Sequence, residues 1–149
     1  MTNHPKETID RLSDELLSGN FGKVDYIAGT GMSGVLPLVG VHIKTHIPYV
    51  VIRKPNDNNH SQIQRFQCSG TPWTSITKFV IIDDLVDSGS TVQRIIETLN
   101  PAKCAGILLY QCMPTFAKIA SEKFVNLPIS AFTGNLCNKI PWRSKCPVV

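Results

Sequence analysis

Phe79 to Thr91 reads FVIIDDLVDSGST, and the fold is decided by how this stretch is read. Phe79, Val80, Ile81 and Ile82 form a short continuous apolar run. Such a run fits a strand buried on both faces, as in the middle of a parallel sheet. Two adjacent carboxylates, Asp83 and Asp84, close it. Leu85 and Val86 then lead into a turn of small polar residues, Asp87-Ser88-Gly89-Ser90-Thr91. Beyond the turn, Val92, Ile95, Ile96 and Leu99 fall at the i, i+3, i+4, i+7 spacing of one helix face. The order is strand, acidic pair, small-residue loop, helix.

That order carries chemistry. A loop of Ser, Gly, Ser and Thr at a helix N-terminus offers unpaired backbone N–H groups and hydroxyls at the positive end of the helix dipole. Together they make a seat for an anion such as a phosphate. Carboxylates just before it can accept hydrogen bonds from vicinal sugar hydroxyls, or hold water around Mg²⁺. A sugar with a phosphate at one end and hydroxyls in the middle satisfies both groups. The plainer alternative is a helix capped by Ser88 or Ser90 beside a solvated acidic turn.

FVIIDDLVDSGST resembles the phosphoribosyl pyrophosphate (PRPP) signature of the type I phosphoribosyltransferases: an apolar strand, two acidic residues, two apolar residues and a D/T-x-G-x-T loop. The resemblance implies that Asp83 and Asp84 hold the ribose hydroxyls and Mg²⁺. It implies that Asp87, Ser88, Gly89, Ser90 and Thr91 wrap the 5′-phosphate. Asp87 stands where the 6-oxopurine enzymes carry an aspartate near the base, which makes it the candidate general acid/base.

An earlier segment extends the resemblance. Val24 to Ala28 reads as a strand running into Gly29-Thr30-Gly31-Met32-Ser33-Gly34, with a helix from about Val35 to His46. Gly29, Gly31 and Gly34 match the dinucleotide-binding G-x-G-x-x-G spacing. That fold wants an acidic residue after the next strand, however, and Tyr49 to Ile52 is followed by Arg53-Lys54-Pro55. A cationic pair suits phosphates rather than ribose hydroxyls. DYIAGTGMSGVLP is similar to the first loop of the adenine and orotate enzymes. In that likeness Gly31, Met32, Ser33 and Gly34 grip pyrophosphate through backbone N–H groups, and Arg53 and Lys54 neutralise it. Adenine enzymes carry Arg where this chain has Ser33, so one contact to pyrophosphate or base is missing here.

Residues 56–77 are polar and aperiodic, as functional or mobile loops are. The resemblance makes this stretch a flap that closes over PRPP and keeps water out, with His60 and Arg65 its cationic candidates. The orotate-type catalytic lysine and the adenine-type YxLEYG run are both missing from it. Residues 133–149 resemble a small hood, and Lys139-Ile140-Pro141-Trp142-Arg143 is similar to the FPWE or QPW segment of the 6-oxopurine enzymes. Trp142 either stacks on a planar base or plugs the sheet edge.

The remaining elements follow from periodicity. Pro5 to Leu17 reads as a helix capped by Asn3, with Ile9, Leu12, Leu16 and Leu17 as its apolar face. Ala105 to Tyr110 and Ile129 to Phe132 read as strands, and Thr115 to Lys123 as a helix with Phe116, Ile119 and Ala120 inward. Five strands alternating with helices predict an α/β fold: a single-domain twisted parallel sheet over residues 1–149, flanked by helices, with ligands at the strands' C-terminal ends.

Composition agrees. The chain has 149 residues, 42% of them hydrophobic and 17% charged, within the range of one soluble domain. No apolar run approaches the roughly 20 residues of a membrane span, and the N-terminus lacks an apolar leader, so a cytoplasmic protein without membrane contact is expected. Five cysteines (Cys68, Cys104, Cys112, Cys137, Cys146) without a C-x-x-C pair read as reduced thiols rather than a zinc or disulfide framework. Outside secretion the Asn59-His60-Ser61 sequon has no meaning. The net charge of +4 comes without a Lys/Arg run, which argues against nucleic-acid binding. His42 and His46 lack the intervening Glu of H-E-x-x-H and read as packing or surface residues. The resemblance implies a homodimer acting on PRPP and a purine or pyrimidine base, with nucleotide salvage or synthesis as its setting. Asp87 favours a purine, while the first loop favours adenine or orotate relatives. A second reading is a non-catalytic PRPP- or nucleotide-binding regulator of the same fold.

Overall fold

The computed structural model describes residues 5–52, 66–68, 77–83, 89–110, 118, 122–132 and 139–140. Element order is α1 (Pro5–Leu17), β1 (Tyr26–Thr30), α2 (Gly31–Thr45), β2 (Tyr49–Ile52), β3 (Phe66–Cys68), β4 (Lys78–Asp83), α3 (Ser90–Leu99), β5 (Lys103–Leu109), β6 (Ile129–Phe132) and β7 (Lys139–Ile140). They form one sheet in the order β3-β2-β1-β4-β5-β6-β7. The five inner strands, β2 to β6 in space, are all parallel. β3 and β7 close the two edges in antiparallel pairing.

The five expected strands are therefore present, and the sheet is flanked by helices. The two added edge strands lie inside stretches read from sequence as flap and hood. Each is only two or three residues long, and too short a run shows no period of its own. β1 extends two residues past the expected Ala28, because Gly29 and Thr30 continue the pairing with Val51 and Ile52. α2 accordingly begins at Gly31 rather than Val35, so Gly31 to Gly34 form its first turn instead of a loop. Of the helix expected over 115–123, positions 118, 122 and 123 are described, and they are helical.

β4 is central and buried from Phe79 through Asp83. Its side chains alternate between two cores, as strand geometry requires. Phe79 and Ile81 join Ala28, Val50, Ile107 and Ile129 under the Val92, Ile95 and Leu99 face of α3. Val80 and Ile82 join Ile27, Leu108 and Phe132 under Leu12 and Leu16 of α1 and Leu38 and Val41 of α2. α1 and α2 thus cover one face and α3 the other. Leu17, expected on the inward face of α1, is 66% exposed instead. One residue after Leu16, it is turned about 100° around the helix from the buried Leu12 and Leu16 face.

Polar ties fasten this frame. Ser130 of β6 is fully buried and donates to Glu15 Oε1 of α1 at 2.6 Å; Asn20 Nδ2 donates to the same oxygen at 3.0 Å. Lys44 of α2 pairs with Asp10 of α1 at 2.5 Å on the surface. His42 packs edge-on against Tyr49 with ring centroids 5.1 Å apart, and its Nδ1 lies 2.8 Å from the Ile47 carbonyl oxygen.

Two glycines separate tight packing from tolerant packing. A Cβ on Gly106 would meet the Phe21 ring at 2.3 Å and the Pro128 carbonyl oxygen at 2.8 Å. A Cβ on Gly40 would meet only the Ile9 side chain, whose Cδ1 lies at 2.2 Å and can turn aside. Gly106→Ala should therefore cost about 1–3 kcal/mol of stability and Gly40→Ala clearly less, as urea unfolding midpoints will show. Burial pushes the Cys104 thiol up to about 12, against a weaker lowering influence of the Gly106 backbone. Its folded value lies above the unfolded one. The stability it contributes is thus complete below the ordinary thiol range and is lost as pH rises from about 9 toward about 12. In native protein at pH 8, Cys104 should resist iodoacetamide and become labelled once urea is added, read by peptide mass spectrometry.

Candidate active site

The site is where the chain reverses its direction of growth across the sheet. From β1 the chain crosses through α2 to β2 on one side; from β4 it crosses through α3 to β5 on the other. β1 and β4 are neighbours, so the two crossovers leave from adjacent strands toward opposite faces. In open α/β sheets a crevice opens at such a point, outside the strands' C-terminal ends.

β1 and β4 pair from Tyr26 with Phe79 to Ala28 with Ile81. Gly29 still lies close to β4, since a Cβ there would be 3.1 Å from the Ile82 carbonyl oxygen. The two strands end at Thr30 and Asp83, each with a partner on its outer side. Thr30 aligns with Ile52 of β2, and its Oγ1 donates to the Ile52 carbonyl oxygen. Asp83 aligns with Leu109 of β5, and its carbonyl accepts from the Tyr110 N–H at 3.0 Å.

Asp83 is the last residue of β4 and is 7% exposed. By strand alternation it follows Phe79 and Ile81, which puts its carboxylate on the α3 side of the sheet. That places it at the mouth of the crevice on the side where α3 begins. Gly89 occupies the N-cap position of α3 with φ of 83°, a left-handed conformation that favours glycine. Ser90 is the first helical residue and is exposed; Thr91 is half-buried.

Neither helix at this crevice is capped by a side chain. Thr30 sits at the N-cap of α2, but its hydroxyl is used on Ile52. Gly89 has none to offer, and α3 has no side-chain cap bond. Neither first turn contains an acidic residue. The alternative in which Ser90 caps α3 does not hold, because Ser90 lies inside the helix. Two helix N-termini whose N-cap side chains make no capping bond therefore flank the crevice from opposite faces, and the positive end of each helix dipole attracts an anion.

Of the expected site residues, those described are Asp83 at the end of β4, Gly89, Ser90 and Thr91 at the start of α3, and Gly31, Met32, Ser33 and Gly34 in the first turn of α2. Asp84, Asp87, Ser88, Arg53, Lys54, His60, Arg65 and Trp142 lie outside the described residues. The segment 53–65 leaves β2 at Ile52 and rejoins at Phe66, residues paired with each other at the crevice end of the sheet. Thr30 was missed by motif reading. Its signal was available: a hydroxyl residue between two glycines at a strand end, placed where a helix would ordinarily be capped.

Residues 2–133 match the model of a family described as a phosphoribosyl transferase domain. The chain is 32% identical over 92 residues to a hypoxanthine/guanine phosphoribosyltransferase of Methanocaldococcus sp., covering 56% of this chain and 47% of that protein. It is 30% identical over 88 residues to an orotate phosphoribosyltransferase of Listeria innocua, covering 59% of this chain and 40% of that one. The chain spans about half the length of these curated relatives. Among solved structures, adenine phosphoribosyltransferase from Leishmania tarentolae superposes with a TM-score of 0.67 at 14% identity, covering 100% of this chain and 77% of that one. Orotate phosphoribosyltransferase from Francisella tularensis gives 0.62 at 19% identity, covering 87% and 65%. Identities this low establish a shared fold.

Proposed function

The chain belongs to the family of phosphoribosyl transferase domains, and on that premise we propose that it transfers the 5-phosphoribosyl group of PRPP to a nitrogenous base, releasing pyrophosphate. The observation that carries this reading is the pair of uncapped helix N-termini facing one crevice, with a buried carboxylate at its mouth. PRPP is a pentose with phosphate groups at both ends and hydroxyls between them. The crevice offers the complementary order: amides, carboxylate, amides.

In this reading the first turn of α3, with Asp87 to Thr91, seats the 5′-phosphate. Asp83 and Asp84 accept hydrogen bonds from the ribose hydroxyls. The first turn of α2, with Arg53 and Lys54, takes the pyrophosphate. The bond from C1 to the pyrophosphate oxygen breaks as the bond from C1 to a base nitrogen forms. Asp87 takes the proton that the base nitrogen gives up. Trp142 lies against the base, and the segment carrying His60 and Arg65 keeps water from the cationic sugar centre. The chain's work is positioning and charge stabilisation.

The donor set fits Mg²⁺. Asp83 is a hard oxygen donor, and the described residues contain no cluster of three or more His, Cys, Asp or Glu side chains. Mg²⁺ characteristically takes one or two carboxylates and fills its shell from substrate phosphates and water. Asp83 and Asp84 would hold it, and it would neutralise charge on the leaving pyrophosphate. The same reading carries a homodimer, a cytoplasmic setting and a single domain spanning 1–149. Among the described residues, no helix is long and apolar enough to cross a membrane.

The test is incubation with PRPP, Mg²⁺ and a panel of purine and pyrimidine bases, following pyrophosphate release and the nucleotide formed. Release with one class of base is the expected outcome. PRPP binding without release on any base would establish the non-catalytic binding reading instead. Replacing both acids, Asp83→Asn with Asp84→Asn, should abolish PRPP binding, a loss beyond about 100-fold in Kd, while the circular dichroism spectrum stays unchanged. Unaltered affinity would mean the sugar sits elsewhere.

A further inference from the structure

We propose that Thr30 is a positioning residue of this site: its hydroxyl fixes the end of β2 against the start of α2 and so keeps the two parts of the pyrophosphate seat in register. The inference rests on the phosphoribosyl-transfer reading and concerns its pyrophosphate half. Thr30 is 6% exposed and aligns with Ile52, whose carbonyl oxygen accepts from the Thr30 Oγ1. The parallel ladder explains why a side chain does this work. Ile27 N–H donates to the Pro48 carbonyl oxygen at 2.9 Å. Parallel bonding repeats every second residue, so the same ladder carried forward would bring Gly31 N–H to the Ile52 carbonyl. Gly31, however, has already turned into α2. The chain leaves the sheet one residue too early, and the Thr30 hydroxyl supplies the donor from the side.

The direction of that bond is informative. Valine or isoleucine would suit a buried strand position equally well, so the hydroxyl is what distinguishes this residue. A threonine at an N-cap ordinarily bonds an amide of the first turn. Thr30 has the extended N-cap backbone, with φ of −145° and ψ of 152°, yet makes no capping bond. Its hydroxyl is directed sideways, to the last residue of β2, after which the sequence continues into Arg53 and Lys54. Ile52 also aligns with Phe66 of β3, so the strand end has a partner on both flanks. In the proposed site Arg53, Lys54 and the first turn of α2 take the pyrophosphate together. The distance between the end of β2 and the start of α2 then sets how these two parts meet the ligand. Thr30 holds that distance and acts on the pyrophosphate through its neighbours.

The experiment is isothermal titration, with Mg²⁺ present, of PRPP and of ribose 5-phosphate into wild type, Thr30→Val, Thr30→Ala and Thr30→Ser. Thr30→Val keeps shape and burial and removes the donor; circular dichroism checks its fold. It should weaken PRPP about three- to tenfold, the range of one buried hydrogen bond, and leave ribose 5-phosphate unchanged. Thr30→Ala should show the same selective loss. Thr30→Ser keeps the hydroxyl and should bind PRPP as wild type does. Equal affinity of wild type and Thr30→Val for PRPP would overturn the assignment while leaving the phosphoribosyl reading intact. So would an equal loss for both ligands, or a loss that Thr30→Ser shares, since neither depends on the hydroxyl alone. Unfolding of both variants that lack the donor would mark a folding role and overturn the assignment too. Failure of wild type to bind PRPP or ribose 5-phosphate would overturn the reading of two phosphate seats, and this assignment with it.

Discussion

The pairing of β4 between β1 and β5 is the constraint from which the rest of the molecule follows. β4 is buried on both faces, so every residue from Phe79 to Ile82 is committed to one core or the other. Slipping the strand by one residue would exchange these two sets and carry Asp83 to the opposite face. At its end β4 is tied to β5 by the Tyr110 N–H, which donates to the Asp83 carbonyl oxygen. Thr30 does the corresponding work on the other side by tying β1 to β2.

Opposed crossovers then give the crevice its charge. Because α2 and α3 leave adjacent strands toward opposite faces, their N-termini approach the same space from two directions. A single helix end contributes about 0.3–1 kcal/mol toward an anion, too little to hold a phosphate firmly. In the proposed reading, two ends and their amides act together on a ligand carrying phosphates at both extremities, and the carboxylate between them meets hydroxyls rather than phosphate.

The scaffold is stiffened where this geometry needs it. α1 touches neither helix start, yet Glu15 reaches Ser130 in the middle of β6 and joins the outermost parallel strand to the helical layer. A buried carboxylate is costly unless its oxygens are satisfied, and here one accepts from Ser130 and Asn20 together. Gly106 allows Phe21 to press on β5 beside the Pro128 carbonyl, so the strands flanking the site have little freedom to shift.

By itself, the chain's sequence determined the parallel core and the strand–loop–helix order at its centre. Continuous apolar runs mark doubly buried strands, and FVIIDDLVDSGST joins one such strand to a helix face with no ambiguity of period. The edge strands β3 and β7 were not legible, because pairing that rests on a neighbour leaves no pattern in two or three residues. The start of α2 was misplaced for a related reason. Glycines at 31 and 34 read locally as a loop, whereas β1 paired out to Thr30 delivers the chain directly into a helix. Tertiary structure alone decided that the Thr30 hydroxyl is spent on Ile52 rather than on capping α2, and that Lys123 lies across Gly89. These are relations between segments distant in sequence, and they exist only once burial of β4 has brought those segments together.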